Sequence, residues 1–140
     1  MKADIKKYYE LHDQTIQWIN EIQFMADEQI FLEHLLSSHF LELSSSKLYE
    51  TTKKLIRKLK EAETTGNDLM DMIQMHNNNL GKLIENFNED GQLTIDREHI
   101  AIKKDLEDYI LKFRYVKKKI FGIIKQILKD HKQKLLIKNT

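Results

Sequence analysis

Two histidines occupy positions where a helical core would be expected. His39 and His76 both fall in the apolar repeat of long helical segments, and antiparallel pairing of those segments places His12 level with His76. The same arithmetic puts Asp105 and Leu106 of a third segment nearby. Two imidazoles and a carboxylate could hold a divalent metal ion. We favour uncharged core histidines with hydrogen-bond partners, and we predict neither a metal nor a cofactor.

Glu28 is an acidic residue in an apolar setting. On a helix its neighbours are Phe24, Met25, Phe31 and Leu32. A carboxylate there is either neutral and desolvated, as a ligand-binding group would be, or paired with a cation. We favour an ion pair that fixes helix register. The cations predicted to lie within its reach are Arg57, Lys60 and Lys117.

No arrangement of residues in the sequence is typical of catalysis. The chain contains no cysteine, which excludes disulfides and thiolate nucleophiles, and its four glycines are isolated rather than grouped in a phosphate-binding loop. The one acid-x-x-His pair, Asp96 and His99, stands where a helix is predicted to begin, and Asp96 is more simply a cap. We therefore predict that the protein is not an enzyme and has no small-molecule substrate.

The elements that must position these residues are long helices. Apolar residues recur at spacings that alternate between four and three, a period typical of coiled coils. Breaks fall at Ser44–Ser46 and at Asn88–Gly91, where Thr94 or Asp96 is a plausible cap for the last helix. Short connections force neighbouring helices to run antiparallel. The sequence predicts one domain, an all-α, elongated antiparallel (up-down-up) three-helix coiled-coil bundle spanning residues 1–140, with helices near 4–43, 46–87 and 95–137.

The second predicted helix contains one weak stretch. Thr64, Thr65, Gly66 and Asn67 are poor helix formers, so an alternative is a four-helix bundle with a break near Gly66. The apolar repeat nevertheless passes through Gly66 without a skipped step, which favours a continuous helix.

Phe24, Phe31 and Leu35 extend the apolar surface of the first helix beyond one stripe. They stand about 120° around the helix from its main apolar seam. The apolar arc of the first helix is therefore wider than one three-helix core needs. This width predicts a surface for a second copy or for another helical protein. We therefore expect a non-catalytic binding or scaffolding protein that self-associates, as a dimer in its simplest form.

The last third of the chain is basic. Residues 94–140 carry thirteen basic and six acidic side chains, although the whole chain has a net charge of only +1. An exposed lysine row there could attract nucleic acid or an anionic membrane, but the scarcity of arginine and aromatic residues favours a solvated face. The lysines of this predicted row are Lys118, Lys125, Lys129 and Lys132.

No secretory signal follows Met1, and no stretch approaches the ~20 apolar residues of a membrane span. These two features predict a soluble protein of the cytoplasm.

The first helix also contains the pattern Trp18-x3-Ile22-x-Phe24-x2-Asp27-Glu28-x2-Phe31-Leu32-Glu33. This pattern resembles the opening helix of a family of small, uncharacterised all-helical bacterial proteins. The resemblance implies an all-helical fold, and it carries no activity, cofactor or partner.

Overall fold

The computed structural model describes residues 2–138, and every element in that range is an α-helix, which confirms the predicted all-α class. The four helices, in chain order, are α1 (Lys2–Ser38), α2 (Phe40–Ser44), α3 (Tyr49–Glu85) and α4 (Glu89–Lys138). None of the helices within residues 2–138 is long and apolar enough to cross a membrane.

The first predicted segment is two helices rather than one. The helix is interrupted at His39, and α2 is a single short turn beyond it. The hydroxyl of Ser38 donates to the carbonyl of His34 at 2.8 Å, and such bonding to the preceding turn bends helices. In the turn that follows, the Ser46 hydroxyl oxygen accepts the Leu48 N–H at 3.0 Å. Leu48 is itself the N-cap of α3 and no side chain bonds the first turn of the helix from this position, so the predicted serine cap is wrong.

The last helix begins six residues earlier than predicted. The Asn88 side-chain oxygen accepts the Gly91 N–H at 2.6 Å, which makes Asn88 the cap of α4. The predicted caps are wrong, because Thr94 and Asp96 both lie inside the helix. The shorter connection moves α4 by about one heptad relative to α3. His76 consequently faces His99 rather than the predicted Leu106.

The described part of the chain packs around α3, which contacts both α1 and α4 along their lengths. The Gln29 side chain of α1 donates to the Leu59 carbonyl of α3 at 2.7 Å. The apolar repeat identifies the core correctly in all three long helices, and it missed only Ile95 and Ile124. The repeat residues that α3 buries are Thr52, Leu55, Leu59, Ala62, Gly66, Leu69, Ile73, His76, Leu80 and Leu83.

Helix α3 runs unbroken past Gly66, so the alternative with a break near Gly66 is wrong; the interruption lies at His39 instead. Gly66 is buried against the ring of Tyr109. A Cβ atom at this position would lie 2.7 Å from the phenol oxygen, so the glycine makes room for the tyrosine. Burial raises the pKa of the Tyr109 phenol.

Replacing Gly66 tests this close approach. We expect Gly66→Ala to lower the free energy of unfolding by about 1 kcal/mol, because an overpacking cost of about 1–3 kcal/mol against a buried ring outweighs a helix-propensity gain of about 0.5–1 kcal/mol. Gly122→Ala is the matched control, since a Cβ there meets nothing within 4 Å. The control should gain about 0.5–1 kcal/mol from helix propensity. Urea unfolding measures both, and a stabilised Gly66→Ala would contradict the packing.

Candidate functional site

A chain of hydrogen bonds between polar side chains crosses the core. His76 Nδ1 lies 2.5 Å from a Glu98 carboxylate oxygen, and His76 Nε2 lies 2.9 Å from His99 Nδ1. His99 Nε2 lies 2.9 Å from the side-chain oxygen of Gln14. We call these four residues the histidine network. It joins α3 to α4 and α4 to α1, and its two imidazoles are 0% and 6% exposed.

The partners in the network constrain its hydrogen-bond roles. The Glu98 carboxylate can only accept, so His76 donates to it from Nδ1. The bond between the two imidazoles and the bond from His99 to the Gln14 side chain each join one donor to one acceptor, and the tautomers of the rings set which atom donates.

Trp18 covers the network from the α1 side. Its ring stacks on His99 with centroids 4.4 Å apart and lies 6.4 Å from His76. Burial, followed by smaller electrostatic effects of His76 and Lys103, lowers the pKa of His99 to about 4. His99 is therefore neutral at pH 7.

The two imidazoles of the network form a polar layer within the core. Neither His76 nor His99 lines any of the surface grooves described below. Within the described residues, no three histidine or acidic side chains come together as a metal site. Hydrogen bonds of this kind are satisfied in one alignment of the helices, so the network fixes register.

The sequence missed the partners of His76. His12 was predicted beside it, but His12 is half-buried and takes no part in the network. His39 lies at the junction of α1 and α2, with its Nδ1 atom 3.5 Å from a Glu42 oxygen. His99 falls in the apolar repeat of the last helix, so the sequence marked it as a candidate core residue. The predicted start of α4 was too late, and the resulting alignment placed Leu106 rather than His99 opposite His76.

Glu28 forms an ion pair with Lys117, which joins α1 to α4. The Glu28 side chain is 20% exposed and that of Lys117 is 37% exposed, so the pair is partly shielded from water. Lys117 is one of the three cations predicted for Glu28. The pair lines a shallow groove between α1 and α4, together with Phe24 and Ile110.

Two of the three residues predicted as a partner surface are exposed. Phe24 and Phe31 are 63% and 55% exposed, and Phe31 packs on Phe121 of α4 with ring centroids 6.4 Å apart. Leu35 was predicted with them, but it is partly buried and packs against the core, because it completes the wide seam of α1. We call Phe24, Phe31 and Phe121, with the ion pair between them, the phenylalanine face.

The predicted lysine row is exposed along the second half of α4 and consists of Lys118, Lys125, Lys129 and Lys132. Two of its members, Lys118 and Lys125, line a small groove beside Phe121. The row therefore lies at the basic edge of the phenylalanine face.

Comparisons with protein-family models, with the sequences of curated proteins and with solved structures return no match. The resemblance of the α1 pattern to a bacterial family stays a prediction.

The lowered pKa of His99 makes stability depend on pH. A histidine titrates near 6.5 when unfolded and at about 4 here, so the unfolded chain binds more protons between these values. Stability should fall as the pH falls from about 6.5 toward 4. Partial screening by solvent reduces the effect of His99 to on the order of 2 kcal/mol.

Variants separate this effect from that of other titrating groups. The His99→Gln variant keeps a side chain that can accept and donate hydrogen bonds, but this side chain does not take up a proton. His34→Gln makes the same change at an exposed site. Thermal unfolding between about pH 6.5 and 5 should show a smaller loss of stability in His99→Gln than in the wild type. The His34→Gln chain should behave like the wild type. Equal pH dependence in all three chains would overturn the assignment.

Proposed function

We propose that this protein is a non-catalytic binding or scaffolding module, built as an elongated antiparallel three-helix coiled-coil bundle that self-associates. The lengths of the helices support this architecture, because α1 and α3 each have 37 residues and so extend about 55 Å. Contacts support it too. As residue numbers fall along α1 from Gln29 to Trp18, their partners rise along α3 from Leu59 to His76. The residues that close the core leave an extended apolar face on α1 and α4 outside it.

The phenylalanine face carries this proposal. Phe24 and Phe31 stand two turns apart on α1, and more than half of each side chain faces solvent. Burying a phenylalanine stabilises a complex by about 1.5–3 kcal/mol. A second copy that covers both rings, and the exposed part of Phe121, removes this apolar surface from water.

The charges favour a second copy in the opposite orientation. Exposed acidic residues lie in the first halves of α1 and α4, among them Glu10 and Asp13 of α1 and Glu107 of α4. The second half of α4 carries the lysine row and Arg114 on the same side as the phenylalanine face. Antiparallel pairing about a two-fold axis brings the acidic half of each copy to the basic half of the other.

Sedimentation velocity of the wild type and of Phe31→Asp tests this proposal. In about 0.3 M salt, which screens contacts between exposed charges, we expect the wild type to dimerise at about micromolar concentration and the variant to remain a monomer, because a carboxylate would be buried in the interface. Met75→Asp is the matched control, since Met75 is 66% exposed on α3, away from the face. The control should still dimerise. A wild type that is monomeric at every concentration would contradict the proposal, as would a Phe31→Asp chain that dimerises normally.

A second candidate function is docking on an anionic surface, either nucleic acid or a membrane. The exposure of all four lysines of the row favours it. A mobility shift or vesicle binding that survives about 0.3 M salt would support this function over diffuse attraction. Complete loss of binding at that salt concentration would count against it.

A further inference from the structure

A second groove lies between α3 and α4, with a volume of about 750 Å³. Its floor is formed by buried apolar side chains, namely Ala62, Leu69, Tyr109 and Val116. Its edges are formed by exposed apolar side chains, namely Met72, Leu111 and Tyr115, which are 45%, 64% and 51% exposed. The groove exists because α3 presents small residues opposite the ring of Tyr109. This surface is separate from the phenylalanine face.

The charges around the groove are mainly acidic. Lys58 and Lys112 are the basic residues of its lining. The acidic residues are Glu61, Asp68, Asp105 and Asp108. An apolar floor with an acidic edge suits a helix that carries both leucines and lysines.

The C-terminal end of α4 has this composition. The last buried residue of α4 is Ile127, and the helix continues to Lys138. We call residues 128–138 the α4 end. Leu128 and Leu135, one heptad apart on one face, are 50% and 48% exposed, and Lys129 and Lys132 are exposed beside them.

We propose that the α4 end of one copy binds in the α3–α4 groove of a second copy. The α4 end is about 16 Å long, and the groove extends about 21 Å along α3 from Lys58 to Met72. Leu128 and Leu135 pack on the apolar floor, while Lys129 and Lys132 approach Asp105 and Asp108.

The α4 end that binds in the groove must come from another copy, because α4 is one continuous helix and its end cannot fold back onto its own middle. The contact joins two different surfaces, so it adds copies head to tail and forms a ring or an open chain. It uses none of the three phenylalanines of the phenylalanine face, and it shares Lys129 and Lys132 with the lysine row of the two-fold pairing. Because lysines and carboxylates at its edge are exposed, this contact weakens with salt.

Reversing the charges on each side tests the contact. The groove variant is Asp105→Lys with Asp108→Lys, and the α4-end variant is Lys129→Asp with Lys132→Asp. Each is made in the Phe31→Asp background, which removes the dimer through the phenylalanine face. At low salt we expect the Phe31→Asp chain to retain head-to-tail association and each charge variant to associate about tenfold more weakly.

Mixing the two charge variants is the decisive measurement. The groove variant keeps a basic α4 end and the other keeps an acidic groove, so an equimolar mixture should regain the association. The control carries Glu63→Lys with Asp71→Lys, two exposed α3 residues outside the groove, and should associate like the background.

Sedimentation equilibrium gives the association constants. A mixture that stays as weak as its components would overturn the contact, as would a groove variant that associates like the control. A Phe31→Asp background without any association at low salt would also overturn it. These outcomes are distinguishable from failure of the two-fold dimer, which is measured in about 0.3 M salt, where the head-to-tail contact is weak.

Discussion

The hydrogen bonds between His76 and His99 set the alignment of the long helices. An apolar seam that repeats every seven residues is nearly as well packed after a slip of one heptad, about 10.5 Å. The histidine network does not tolerate this slip. His76 then loses its partner His99, and each polar group left unpaired in the core costs about 1–3 kcal/mol. Because Gln14 joins the same network, the alignment extends to α1.

Other close contacts agree with this alignment. Between α3 and α4, Gly66 packs against Tyr109 about one and a half heptads from the histidines. Between α1 and α4, Glu28 pairs with Lys117 and Phe31 packs on Phe121. The surface features depend on the same alignment. The phenylalanine face combines side chains from α1 and α4, while the acidic groove combines side chains from α3 and α4. A slip of one heptad would dismantle both.

The sequence predicted the buried seam almost residue by residue, because a four-three repeat constrains which side of a helix faces inward. It also gave the continuity of α3, since Gly66 keeps the repeat in phase. The position of α4 along the bundle axis, relative to α3, could not be predicted. That position depends on where α4 begins. The cap at Asn88 is a local hydrogen bond, and in the sequence Thr94 and Asp96 are equally good candidates for it. One misplaced cap moved the partners of His76 by one heptad.

The most direct test of this alignment is a nuclear Overhauser measurement on the folded protein. We predict contacts between the imidazole protons of His76 and His99, whose ring centroids are 5.1 Å apart, and between the α protons of Gly66 and the ring of Tyr109. Contacts from His76 to the Leu106 methyl groups and from Gly66 to those of Val116, without the predicted ones, would contradict it. That pattern would mean that α4 is shifted by one heptad.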